Sequence, residues 1–357
     1  MYRESFVGAA ALALLFSAPA YAHHPSGVSS TGGAGPINTV SATTLEQGQS
    51  AAAIFFEIVR MNPFSDAELT APGTHHPHSL DAILAPSLSY AYGLTKDLTV
   101  SARLPYLQRT DVREGHVHGG VPLVEDLGNS SGIGDLTLLG QYRFFNNRAS
   151  RFEAALLLGV KAPTGKTDNV TDTGERFETE FQPGSGSWDG LFGVAVTQRF
   201  GAWSFDSNVL YVVATKGAQQ TDLGDRFQYN AAISYRVGSL GRGGPMHLGA
   251  MPEPMYHGGP GSHGKTAKAH THDEPAARGP TLDLVLELNG EWHDNQTVAG
   301  AKDANSGGHT LYLSPGVRVS SGSMSAFASV GIPIVNEMNG YQVEADWRLV
   351  TGVSVGF

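Results

Sequence analysis

From residue 341 to the end of the chain, apolar and polar positions alternate with a period of two. Tyr341, Val343, Ala345, Trp347, Leu349, Thr351, Val353, Val355 and Phe357 fall on one parity, and Gln342, Glu344, Asp346, Arg348, Val350, Gly352, Ser354 and Gly356 on the other. Successive side chains of a strand point to opposite faces, so this segment has one apolar and one polar face. The rhythm recurs upstream. Leu282, Leu284, Leu286, Leu288 and Trp292 alternate with Asp283, Glu287, Asn289 and Glu291, and Phe227, Tyr229, Ala231, Ile233, Tyr235 and Val237 alternate with Arg226, Gln228, Asn230, Ser234 and Arg236. Further examples begin at Leu98 and at Trp203. A helix would repeat its apolar residues every three or four positions, and these segments do not.

The alternation predicts about twelve strands, most of them near the 9–11 residues that a tilted strand needs to cross a bilayer. They fall at 50–61, 80–93, 98–108, 133–145, 152–162, 188–200, 203–214, 226–237, 281–292, 310–320, 324–334 and 340–357. The connections alternate too. Those at 93–97, 146–150, 201–202 and 321–323 are tight, and those at 62–79, 109–132, 163–187, 215–225 and 293–309 are long. An even strand count with short turns at one end and long loops at the other predicts an all-β, transmembrane antiparallel β-barrel with both termini on the periplasmic side. Residues 238–280 break the rule. This connection should be short, yet it is long, Gly/Pro-rich and holds five histidines, a composition expected of a disordered insertion.

The faces follow from parity. Outward rows carry Leu, Val and Ala, with Tyr90, Tyr92, Trp203, Tyr235, Trp292, Trp347 and Phe357 near strand ends, where aromatic girdles sit. Inward rows carry Arg103, Arg143, Arg236 and Arg348 against Asp81, Asp135, Glu153, Asp206, Asp283, Glu287, Glu344 and Asp346. Two roles stand open for these charges: bracing a narrow barrel, or forming a selective constriction, for which Arg103, Arg143, Arg236, Arg348, Asp135, Asp283, Glu287, Glu344 and Asp346 are the candidates.

The N-terminal residues and the composition agree with a barrel. Residues 1–22 have Arg3, an apolar run over 6–16 and an Ala20-Tyr21-Ala22 cleavage site, as a signal peptide does, so the mature chain would start at His23. The run is too short to span a bilayer as a helix. Residues 23–49 then form a periplasmic segment ahead of a barrel at 50–357; the pattern leaves open whether they hang free or fold back into the lumen. Of 357 residues 45 are glycine, only 16% are charged, and none is cysteine, which excludes disulfides, thiolate metal sites and an acylated anchor. A net charge of −10 with no basic stripe excludes nucleic acid as a partner.

All fourteen histidines fall at the mature terminus, in predicted loops or at strand ends. Imidazole suits copper, zinc and nickel, so His23, His24, His75, His76, His78, His116, His118, His257, His263, His270 and His272 are candidate ligands, although no spacing among them matches a structural zinc site. The alternative is that they are solvated loop residues, and no cofactor is required. Catalysis finds little support: His309 and Ser314 share a strand but lie on opposite faces.

A closing strand ending in phenylalanine resembles the C-terminal signal of outer-membrane barrels, with Tyr341, Trp347, Val353, Val355 and Phe357 as the residues that the barrel-assembly machinery would read. Other segments carry a wider resemblance: His23-His24-Pro25-Ser26-Gly27, Gly32-Gly33-Ala34-Gly35-Pro36-Ile37, Tyr92-Gly93-Leu94-Thr95-Lys96-Asp97-Leu98-Thr99, Arg103-Leu104-Pro105-Tyr106, Gly132-Ile133-Gly134-Asp135-Leu136 and Lys161-Ala162-Pro163-Thr164-Gly165. Together they resemble the bacterial outer-membrane family named for the meta-pathway of phenol degradation, whose members are called transporters. The resemblance implies a barrel in outer-membrane lipid that passes small, including aromatic, solutes, and it carries over no catalytic residue. The resulting expectation is a passive channel with a charged lumen. The alternatives are transition-metal handling by the histidine loops and a structural or adhesive barrel.

Overall fold

The computed structural model describes residues 35–71, 77–118, 121–239 and 279–357. The expected signal peptide at 1–22, most of the 238–280 insertion, and His23, His24, His75, His76, His247, His257, His263, His270 and His272 lie outside the described residues. Strand β1 (Ser50–Asn62) opens the barrel. The second lane is made of three pieces, β2 (His78–Ser79), β3 (Ala82–Leu84) and β4 (Ser87–Thr95), and the third is β5 (Leu98–His118). The fourth joins β6 (Val121–Ile133) to β7 (Leu136–Asn147). Then come β8 (Phe152–Ala162), β9 (Asp189–Phe200) and β10 (Trp203–Val213), followed, after the loop strand β11 (Thr221–Asp222), by β12 (Arg226–Ser239) and β13 (Thr281–His293). Loop strands β14 (Thr297–Val298) and β15 (Ala301–Lys302) precede β16 (Gly308–Ser321), β17 (Met324–Met338) and β18 (Glu344–Gly356).

Each lane pairs antiparallel with its neighbours, and β1 pairs with β18, so the twelve lanes form a closed barrel. The ring is sealed by Ser50 and Phe357, whose amides donate to each other's carbonyl oxygens at 2.8 and 2.9 Å. Closure leaves no open edge, which is what hydrocarbon requires of a sheet. The outer surface is a belt of exposed apolar side chains, among them Phe56, Leu88, Leu158, Phe192, Leu286, Ile332 and Val353. No soluble protein leaves a belt of this extent in water, so it marks the surface that meets lipid.

The structure departs from the pattern in three places. The expected strand 80–93 breaks at Pro86, which has no N–H to give the ladder; β5 turns this to use, with Tyr106 N–H donating to Pro86 O at 2.7 Å. The expected loop 109–132 is instead a hairpin, in which β5 and β6 pair from Tyr106↔Ile133 out to His118↔Val121. Polar residues such as Glu114, His116, Glu125 and Asp126 mask its period, and a backbone ladder does not need one. The last strand begins at Glu344 rather than 340 and carries a bulge: Arg60 pairs with Trp347 but Met61 with Ala345. The extra residue, Asp346, is exposed rather than inward, and Val343 and Ala345 are buried, because a one-residue insertion exchanges the faces.

Candidate functional site

Three layers fill the lumen. At the short-turn end, residues 35–49 run inside the barrel. The chain rises from a tight turn at Glu46–Gln49, and Leu45 N–H donates to Thr99 Oγ1 (2.8 Å), Ala42 N–H to Thr197 Oγ1 (2.9 Å) and Val40 N–H to Asn208 Oδ1 (2.9 Å). It ends against β13 and β16. There Glu287, only 1% exposed, accepts the amides of Ile37, Asn38 and Thr39 at 2.9–3.0 Å, and the Asn38 side chain at 2.7 Å. Arg318 donates to Pro36 O beside it. Three successive amides aimed at one carboxylate make a strong, charge-assisted anchor.

This segment also covers an apolar inner wall. Val40 and Ala42 pack on Leu139, Ala155, Leu157, Leu191, Ala195, Leu210 and Val212, all buried and contributed by β7 to β10. The lumen is therefore not polar throughout, as parity alone suggests.

Above the segment lies a chamber with about 740 Å³ of space not filled by protein, part of it open to solvent. Asn38 of the segment lines one end, and His293, Gly308 and Met338 of the long-loop rim line the other. Its wall mixes Phe55, Tyr312 and Val350 with a charge cluster: Arg348 Nε donates to Glu57 Oε1 at 2.7 Å, and Arg103 donates to Ser87 at 3.0 Å while its guanidinium sits 4.9 Å from the Phe55 ring centroid. A solute here meets aromatic faces and ion-paired groups together.

The third layer is a lid. The 163–187 loop folds into the long-loop mouth, where Phe177 and, in a short 3-10 turn (Thr179–Phe181), Phe181 join Val59, Met61, Leu69, Ile83, Val112 and Tyr312 in an apolar cluster. Fully buried Arg109 donates to the carbonyl oxygens of Phe181 (3.3 Å) and Gln182 (3.1 Å), pinning the turn. The loop's far end is held by Lys161, which contacts Ser185 and Asp189, each at 2.6 Å, and Asp135 at 3.5 Å. Within the turn, Glu180 has its pKa pushed up to about 8 by burial and by Glu178 and Asp303. His78, Glu178 and Glu180 converge there, with ligand atoms within 4.8 Å of one another.

The remaining candidates are dispersed. Arg143 ties Glu153 (2.7 Å) to Asp97 (3.0 Å) at the short-turn end, and Glu153 also meets Arg199 (3.1 Å) and Thr43 (2.8 Å) of the segment. Arg236 pairs with fully buried Asp283 at 2.7 Å. Glu344 is half-buried; Tyr341, Trp347, Val353 and Phe357 are exposed, and Val355 is half-buried. His116 faces Glu125 at 3.9 Å in the hairpin, and His118 ends β5. Sequence reasoning passed over Glu57, Arg109, Lys161, Asn208 and Arg318. Glu57 did leave a signal, as a lone carboxylate inside the apolar run Ile54-Phe55-Phe56-Glu57-Ile58-Val59.

A closed twelve-lane barrel with an apolar belt, charged inner wall, short turns at one end and folded loops at the other has the architecture of an outer-membrane β-barrel. Residues 89–244 match the family model described as "Putative MetA-pathway of phenol degradation", the family that the sequence motifs resemble. Among solved structures, the chain is similar to the COG4313 outer membrane channel from Pseudomonas putida F1, at 15% identity and a TM-score of 0.51, with 90% of this chain and 100% of that one covered. It is also similar to the beta domain of the Bordetella autotransporter BrkA, at 10% identity and a TM-score of 0.41, covering 87% and 100%. No curated protein sequence matches the chain.

Proposed function

We propose that this protein is a passive outer-membrane channel for small, partly apolar solutes such as aromatic acids, and that residues 35–49 act as its internal plug. The observation that carries this is the chamber, which sets Phe55 and Tyr312 beside the Glu57–Arg348 pair and Arg103. Such a wall receives a ring on one side and a carboxylate on the other without leaving buried charge unpaired. The apolar wall under Val40 and Ala42 extends this surface toward the short-turn end once the segment moves. Support also comes from the family description, which names phenol degradation, and from the description of the Pseudomonas putida protein as a channel.

Catalysis is a weaker account. Ser185 and Lys161 touch at 2.6 Å, but Lys161 is ion-paired with Asp135 and Asp189 and so serves as a charge partner rather than a base. The test is flux into proteoliposomes of benzoate against a sugar of similar mass. Benzoate should enter faster, and faster still through Glu287→Ala. Absence of benzoate flux through both proteins would refute transport.

A further inference from the structure

We propose that His78, Glu178 and Glu180 form a site for one divalent metal ion of the zinc class, which staples the lid to the barrel wall. One ligand atom from each residue lies within 4.8 Å of the other two. Zinc holds nitrogen and oxygen ligands at roughly 2.0–2.2 Å in a tetrahedron, so its ligands stand about 3.3–3.6 Å apart, and the three groups would draw together by about an ångström on binding. One imidazole with two carboxylates is a donor set that borderline metals accept, and it leaves a coordination position for water.

The surroundings favour a cation. His78 is fixed on β2 by pairing with Glu114, whose carboxylate lies 3.9 Å from its ring. The His78 ring also packs against Phe181, with centroids 4.9 Å apart, so its direction is set by the lid. Gln296 donates to Glu180 at 2.7 Å and to Asp303 at 2.9 Å, orienting one proposed ligand in the way groups around a metal centre usually do. Three carboxylates, Glu114, Glu178 and Glu180, thus gather around one imidazole, and Asp303 adds its charge beside Glu180. Arg109 acts on Glu180 through its charge, and its hydrogen bonds to Phe181 and Gln182 go to carbonyl oxygens. An ion would join β2 of the wall to the 163–187 loop, and through Gln296 to the 294–307 loop. Zinc would then hold the mouth closed.

The experiment uses the whole mature chain, purified in detergent, stripped with chelator and titrated with Zn²⁺ by calorimetry. In parallel, trypsin cleavage after the exposed Arg176, two residues before Glu178, is followed. Histidines elsewhere in the chain are expected to take zinc as well, so the comparison is differential. Glu178→Gln with Glu180→Gln should lose one equivalent of bound zinc, or weaken the tightest site by roughly 10- to 100-fold, and lose zinc protection of Arg176. His78→Ala should do the same, and His116→Ala should keep the tightest site and the protection of Arg176. Equal binding and equal protection in wild type and the double variant would overturn the proposal. So would zinc that binds the wild type tightly without protecting Arg176.

Discussion

Glu287→Ala is the sharpest test of the plug. In the native barrel the Glu287 carboxylate accepts three backbone amides and one side-chain amide, all at 2.7–3.0 Å, in a site with almost no solvent access. Hydrogen bonds to a charged group contribute about 1.5–3 kcal/mol each, but they are not additive when they share one acceptor. Alanine removes all four and leaves the donors of Ile37, Asn38 and Thr39 facing a small void. The breaking of a buried charged interaction costs about 3–5 kcal/mol, which is the better guide to the total. The rest of the anchor, at Asn208, Thr197 and Thr99, stays in place. Each 1.4 kcal/mol is a factor of ten, so the undocked fraction should rise by about 10² to 4 × 10³. In planar bilayers the variant should show larger and noisier conductance steps than wild type, and Asn38→Ala, which removes one of the four contacts, should fall between. The barrel ladder is untouched, so heat-modifiable migration on gels should not change. A Glu287→Ala barrel that is folded yet conducts like wild type would refute the idea that this segment closes the lumen.

Three further outcomes follow from the same geometry. Folding of the lid favours protonated Glu180, so in chelator-treated protein lid docking should be strongest at low pH and weaken as pH rises from the ordinary glutamate value of 4.5 to about 8, with no further loss above. Trypsin cleavage after Arg176, normalised to a free peptide, should rise over that span in wild type, and a flat profile in wild type or an unchanged rise in Glu180→Gln would contradict this. Arg348→Ala takes one of the cations from Glu57, which is 2% exposed and also feels Arg103, and should cost about 1–3 kcal/mol in chemical denaturation and shift reversal potentials toward cation preference; unchanged ion selectivity would remove this pair from the conduction path. Gly290→Ala would put a Cβ 2.1 Å from the Tyr229 ring, whose hydroxyl meets His309 at 2.6 Å, so the ring must move, at about 1–3 kcal/mol; unaltered stability would mean that it swings away freely.

The wall was legible because one of its faces meets lipid: wherever outward residues had to be apolar, as at Leu282, Leu284, Leu286 and Leu288, the period of two stood out. It failed where both faces of a strand share one character. Leu156-Leu157-Leu158 is apolar on both sides, and Leu157 turned out to face the plug. The β5–β6 hairpin is polar along much of both faces and looked like a loop. At Asp346 a single extra residue exchanged inside for outside, a change that parity counting passes over. The histidines drew attention by number, yet of the eleven proposed ligands only His78 meets two carboxylates among the described residues. Its partners, Glu178 and Glu180, lie about 100 residues away in a loop whose folding depends on Phe177 and Phe181. The lumenal course of residues 35–49 was hidden for another reason: its contacts are mostly backbone donors meeting side-chain acceptors on distant strands.

That arrangement bears on which changes the segment can absorb. Every residue except proline carries an amide hydrogen, so at Thr39 or Val40 the identity of the side chain matters less than the presence of the N–H. Exchange of these residues for others of similar bulk should leave the path through the barrel blocked as before, whereas proline at 38, 39 or 40 should release it. Much of the specificity of the fit is thus written in the cylinder, at Glu287, Asn208 and Thr197, and the segment it grips can change at 39 and 40 more freely than those three residues can.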